Sequence, residues 1–131
     1  MFDNTFEYIF SPREGTQAAD MSEHFIEPAI VSDRFDRLKI VVEHSALIKH
    51  EARIGRIEEV VVQGPSRRNP NVYSGRTRQY KLVHFSSDVA LRPGTYTTVE
   101  ITKAAPHFLT GFLVEVLQMA THKIRIPVVS V

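Results

Sequence analysis

The sequence predicts a mainly β chain: a small barrel preceded by a long amphipathic helix and one isolated strand. Three observations carry this reading. Apolar residues recur at three- and four-residue steps from Ala29 to about Glu51, the period of one helix face. Gly55 then marks a change of period, and short β-branched runs separated by turn residues follow at near-regular spacing. A further aromatic run, Phe2 to Phe10, stands ahead of the helix. Four or five short strands in an open sheet would leave unpaired edges, and closure into a barrel removes them.

Taken in order, FEYIF reads as a strand closed by Ser11-Pro12. Residues 11–21, SPREGTQAADM, have no period and read as loop. The helix can start at Ser22, with Pro28 tolerated in its first turns. Its one buried stripe would comprise Ile30, Phe35, Leu38, Val41, Val42, Ala46 and Ile48. Ile57 to Val62 is a strand ending at Gly64-Pro65. Ser66 to Gly75 is a polar loop of about ten residues, long for a hairpin connection and so suggestive of function. Arg76 to Phe85 is the next strand, with Leu82 and Phe85 expected in the core because alternation turns some of Tyr80, Leu82 and Phe85 inward. Pro93-Gly94 is a turn, Thr95 to Lys103 a strand, and Ala104 to His107 a break. Phe108 to Leu117 is a strand interrupted by Gly111. Lys123 to Val131, KIRIPVVSV, could add an edge strand, weakened by Pro127.

Composition excludes several chemistries. The 131 residues are 43% hydrophobic and 24% charged, the balance of a soluble globular protein. No run of apolar residues is long enough for a membrane span, and the N-terminus lacks the basic and cleavage regions of a signal peptide. Cysteine is absent, which removes disulfides, thiol nucleophiles and iron–sulfur ligation and fits a reducing, cytoplasmic setting. The six histidines, His24, His44, His50, His84, His107 and His122, show no metal-site spacing. Gly64 and Gly75 are followed by no G-K-[ST], and no G-x-S-x-G elbow exists. The chain holds no self-contained active site.

The charge distribution is the remaining signal. Residues 1–51 carry ten acidic and five basic side chains, whereas residues 52–131 carry five acidic and eleven basic. From Gly64 to Ser87 no acid occurs, while Arg67, Arg68, Arg76, Arg78 and Lys81 all fall there. A field of that sign attracts polyanions. Among these cations stand Tyr73 and Tyr80, whose rings could stack on unpaired bases.

At these residues the chain resembles a known family. GPSRRNPNVYSGRTRQYKLVHF is similar to the signature of the TRAM domain that closes MiaB-type tRNA methylthiotransferases: E-G-P-S, a basic loop, then T-G-R-T-x-x-N-K-x-V-H-F. Gly64, Pro65, Ser66, Gly75, Arg76, Thr77, Lys81, Val83, His84 and Phe85 match. The likeness continues through Val99-Glu100-Ile101-Thr102-Lys103-Ala104 and Leu109-Thr110-Gly111-Phe112-Leu113. It reaches back through a linker helix, about Pro28 to His50, to FEYIFSPREGTQAA, which resembles the last strand of a radical-SAM barrel. Glu14, Gln63, Ser74 and Tyr80 depart from the family's usual Pro, Glu, Thr and Asn.

The resemblance implies a TRAM/OB-like β-barrel over residues 52–117, a linker helix over 22–51, a remnant of the radical-SAM barrel edge over 1–21, and a tail or edge strand over 118–131. It implies a tRNA-binding module contacting the anticodon arm through Arg67, Arg68, Arg76, Arg78 and Lys81, with Tyr73 and Tyr80 as stacking groups and Arg13 at the rim of an absent active site. The family methylthiolates a modified adenosine beside the anticodon with two 4Fe-4S clusters and S-adenosylmethionine. This chain has none of the cysteines, so alone it can neither bind those cofactors nor catalyse, and a separate chain could supply the missing domains. The alternatives are a protein-binding TRAM module, as in ribosomal-protein methylthiotransferases, and an inactive gene remnant.

Overall fold

The computed structural model describes residues 3 and 5–121. They fall into two compact units, divided between Lys49 and His50. The expected edge strand Lys123–Val131 lies outside the described residues.

The first unit is helical. Over its described residues the expected N-terminal strand is not formed: residues 5–10 have no strand partner, and Phe6 and Tyr8 are more than four-fifths exposed. A strand acquires its hydrogen bonds only from a neighbour, and among the described residues none is offered. The region read as loop contains one short helix, α1 (Gln17–Asp20), capped by Thr16, whose Oγ1 accepts from the Ala19 N–H. Phe25 packs edge-on to Phe10 at 5.6 Å. The long helix, α2 (Pro28–Glu51), starts six residues later than Ser22. Proline explains the shift. Pro28 has no N–H to give and disfavours helical geometry at Glu27, so a helix begins at it more readily than it runs through it. Ser22–His24 forms only a separate 3₁₀ turn. The expected buried stripe is also incomplete. Ala46 is buried and Phe35 and Val42 are half-buried, but Ile30, Leu38, Val41 and Ile48 are exposed.

The second unit is a closed five-stranded barrel of order β1-β2-β3-β5-β4. Its strands are β1 (Ile57–Pro65), β2 (Val72–Thr77), β3 (Leu82–Ser86), β4 (Tyr96–Ala104) and β5 (Leu109–Gln118). All neighbours are antiparallel except β3 and β5, whose parallel pairing, Val83 to Leu109 through Ser86 to Phe112, shuts the ring. Strand alternation fills the interior with Val60, Val62, Tyr73, Val83, Phe85, Val99, Ile101 and Leu109, capped by Leu91 from the β3–β4 connection. Each such side chain contributes about 1.5–3 kcal/mol on burial. Buried hydroxyls are satisfied locally: Thr97 Oγ1 donates to the Val60 carbonyl, and Thr95 Oγ1 accepts from the Ala120 N–H. His50 Nδ1 donates to the Ala105 carbonyl at 2.6 Å, and Arg53 donates to Glu58 at 2.7 Å and to Gln79 at 3.1 Å.

Two expectations for the central segment are corrected. The loop after β1 is shorter than ten residues, because Val72 to Gly75 already pair with β1 and β3. The period-2 signal of β2 is muted because two of its three inward positions are Gly75 and Thr77 rather than large apolar residues. The single strand Arg76–Phe85 is instead a hairpin. Thr77 and Lys81 pair, and Arg78, Gln79 and Tyr80 form the loop, with Tyr80 at φ 62°. A three-residue hairpin loop that ends in a left-handed residue has this form. Leu82 is half-buried on the outer face, one position out of phase with Val83 and Phe85.

Gly75 and Gly111 sit where strands press closest. A Cβ on Gly111 would meet the Glu100 carbonyl oxygen and stand 2.8 Å from Val99 Cγ1, and one on Gly75 would meet Val60 Cγ1 and stand 2.6 Å from the Val61 carbonyl oxygen. We expect Gly111→Ala to destabilise the barrel by about 1–3 kcal/mol through overpacking, read as a lower urea midpoint. An unchanged midpoint would contradict the close approach.

Candidate nucleic-acid interface

The β1–β2 hairpin and the turn that follows it divide the basic segment between two places. The first is the loop Ser66–Asn71. Its shape is fixed by short polar contacts: the Ser66 N–H donates to the Val72 carbonyl at 2.6 Å, Ser66 Oγ accepts from the Arg68 N–H, and Asn69 Oδ1 accepts from the Asn71 N–H. Serine and asparagine favour such local bonds, so the loop is held while Arg67 and Arg68 remain exposed.

The second place is the β2–β3 turn. Arg76, half-buried on the outer face, lays its guanidinium 4.6 Å from the Tyr80 ring centroid and donates through Nη1 to the Tyr80 carbonyl. Tyr80 is 73% exposed. Its left-handed backbone costs about 1–2 kcal/mol in a non-glycine residue, and the stacked arginine returns part of it. Arg76 Nε is buried with no hydrogen-bond partner.

Four residue steps of strand, from Val61 to Pro65, separate the two places, about 13 Å at the rise of an antiparallel strand. Arg67 and Arg68 therefore lie at one end of the β1–β2 ribbon and Arg76, Arg78 and Tyr80 at the other.

The segment has no acid in sequence but meets one in space. Arg78 Nε and Nη2 donate to the two carboxylate oxygens of Glu59 on β1 at 3.3 and 3.4 Å. This fork gives Arg78 an acidic partner in the free protein. Because Arg78 is largely exposed, the pair contributes at most about 1 kcal/mol to stability. Beside it, Glu59, Val61, Arg76, Thr77, Arg78 and Tyr96 line an open groove of about 380 Å³ on the outer barrel surface.

Two expected contacts belong elsewhere. Tyr73 is 7% exposed, lies 6.1 Å from the Phe85 ring in a stacked arrangement, and accepts from the Leu91 N–H through its hydroxyl. It is a core residue, not a stacking platform. Lys81, whose carbonyl accepts from the Thr77 N–H to close the β2–β3 turn, is only 6% exposed and does not offer the open phosphate contact expected of it. Arg13 belongs to the first unit, where its side chain is exposed and its carbonyl accepts from Thr16. Glu59 and Tyr96 were not anticipated. Glu59 follows Glu58 ahead of a valine run and Tyr96 opens a Thr/Val run, patterns that give no sign of which residue will face them. Among the described residues no group of three or more histidines or carboxylates could hold a metal, and no helix is long and apolar enough to cross a membrane.

Comparison with known proteins agrees with this architecture. Residues 51–114 match the TRAM domain family. The chain is 40% identical over 114 residues, 87% of its length, to a tRNA-2-methylthio-N(6)-dimethylallyladenosine synthase of Moorella thermoacetica. It is 42% identical over 111 residues, 82% of its length, to the protein of that name from Acidothermus cellulolyticus. It is 39% identical over 122 residues, 92% of its length, to that from Geobacillus kaustophilus. It spans 25%, 22% and 23% of those proteins, about a quarter of their length.

Replacing Tyr73 by phenylalanine removes the acceptor of the Leu91 N–H. We expect Tyr73→Phe to cost about 1–3 kcal/mol in chemical unfolding, the penalty of a buried unpaired donor, and to leave RNA affinity unchanged. A selective loss of RNA affinity would return Tyr73 to the interface.

Proposed function

Because this chain belongs to the MiaB-type tRNA methylthiotransferase family and carries that family's TRAM domain, we propose that it is the tRNA-binding C-terminal module of such an enzyme. The observation that carries the reading is the β1–β2 ribbon of an OB-like barrel with exposed Arg67 and Arg68 at one end and Arg76, Arg78 and Tyr80 at the other. Barrels of this kind bind oligonucleotides with their first connecting loop and the face of strands 2 and 3. Arginine forks suit phosphates. The proposed target is the tRNA anticodon arm, as the family resemblance implies, and the proposed setting is the cytoplasm.

The family's iron–sulfur clusters and S-adenosylmethionine do not fit this chain. Clusters are held by cysteine thiolates, and the sequence has none. The methylthiolation step therefore belongs to a separate radical-SAM polypeptide or domain, to which this module presents RNA. Arg13 and the aromatic residues Phe6 and Tyr8 are assigned to that junction.

Fluorescence anisotropy with an anticodon-arm RNA hairpin, repeated across a salt series, tests the reading. Arg67→Ala with Arg68→Ala should weaken binding and flatten the log Kd against log salt slope by roughly 0.7–0.9 per lost phosphate contact. An unchanged slope would refute it, and binding to a ribosomal protein that survives nuclease would favour the protein-binding alternative. Glu59→Gln should act in the opposite sense. It releases Arg78, so affinity should rise and the slope steepen by up to about one contact.

A further inference from the structure

The groove beside the Glu59–Arg78 pair holds more than a phosphate contact requires. Val61 pairs with Arg76 on one side and with Tyr96 on the other, so the three lie side by side across β2, β1 and β4. Two strand spacings put the outer two roughly 10 Å apart, with Val61 as an apolar floor between them. The volume of about 380 Å³ is at the small end of ligand cavities. One wall is aromatic: Tyr96, on the outer face, is 43% exposed. The opposite wall is cationic: Arg76 is braced on Tyr80, and Arg78 is turned onto Glu59. Glu59 supplies acceptor oxygens at the mouth. An apolar floor, a ring face, two guanidinium groups and a carboxylate match the parts of one nucleotide.

We propose that this groove binds a single unpaired nucleotide, its base stacked on Tyr96 and its phosphate on Arg78 and Arg76. The proposal rests on the RNA-binding reading above and sharpens it: the module reads one splayed base at the β2–β3 end while Arg67 and Arg68 hold backbone at the other. Every base has a stacking face, so Tyr96 supplies affinity for unpaired RNA without choosing the base. The Glu59 carboxylate favours bases with exocyclic amino groups, which donate to it. Entry of the phosphate exchanges the Glu59 partner of Arg78 for an anionic oxygen of the ligand and frees the carboxylate to accept from the base. A helical duplex stacks its bases internally and offers this groove no ring face.

The full chain is titrated with two RNAs of equal length and charge, a hairpin with an unpaired loop and a fully paired duplex, by anisotropy at several salt concentrations. Tyr96→Ala should weaken hairpin binding roughly 5- to 150-fold, with an unchanged salt slope and unchanged duplex affinity. Tyr96→Phe should retain hairpin affinity. Tyr96→Leu, which keeps apolar bulk on the strand but no ring, should lose it like the alanine variant, which separates stacking from any effect on folding. Equal losses for hairpin and duplex, or full hairpin affinity in both Tyr96→Ala and Tyr96→Leu, would overturn the site while leaving the tRNA-binding reading intact. Failure of the unaltered chain to bind either RNA would overturn both.

Discussion

Barrel closure is the constraint on which the rest of this structure depends. Five short strands form a ring only if they bend sharply and come within backbone contact of one another. Gly75 and Gly111 permit that approach, since any Cβ there would enter a neighbouring strand. The β1 bulge between Val62 and Gly64 supplies the bend on the strand that pairs with both β2 and β4. Once the ring is shut, alternation has no freedom left. Val60, Val62, Val83, Phe85, Val99 and Ile101 must be inside, and Glu59, Val61, Arg76, Leu82 and Tyr96 must be outside.

That division also decides which part of the basic segment is surface. Tyr73 and Lys81 sit in the same stretch as Arg67, Arg68, Arg76 and Arg78, yet both are buried. Arg78 is exposed but answered by Glu59, nineteen residues away in sequence. The effective cationic surface is therefore narrower than the charge count, and it is split by the length of the β1–β2 ribbon. A split site suits a chain-like ligand, whose phosphates repeat along its length and whose unpaired bases turn aside from it.

The two units show different degrees of self-sufficiency. The barrel builds a core of its own, with Val60, Val83, Val99, Ile101 and Leu109 fully buried. The helical unit leaves Phe6, Tyr8, Ile40 and Val41 more than half exposed.

Much of the barrel was legible because β-branched alternation and turn residues are local signals. The strands near Ile57, Thr95 and Phe108 lie within a few residues of the expected bounds. The β2–β3 hairpin was not legible, because its inward glycine and threonine leave no apolar period and Tyr80 occupies a left-handed turn position that its residue type does not announce. The N-terminal strand failed for a complementary reason: FEYIF has strand propensity, but a strand is completed by a neighbour. The sequence by itself determined the family, the basic composition of residues 64–87 and the lack of cysteine in this chain, since these depend on residue identity alone. Only the tertiary structure decided which cations reach solvent, that Glu59 faces Arg78, and that Tyr96 joins Arg76 around one groove, because those relations are made by strand pairing between residues far apart in the chain.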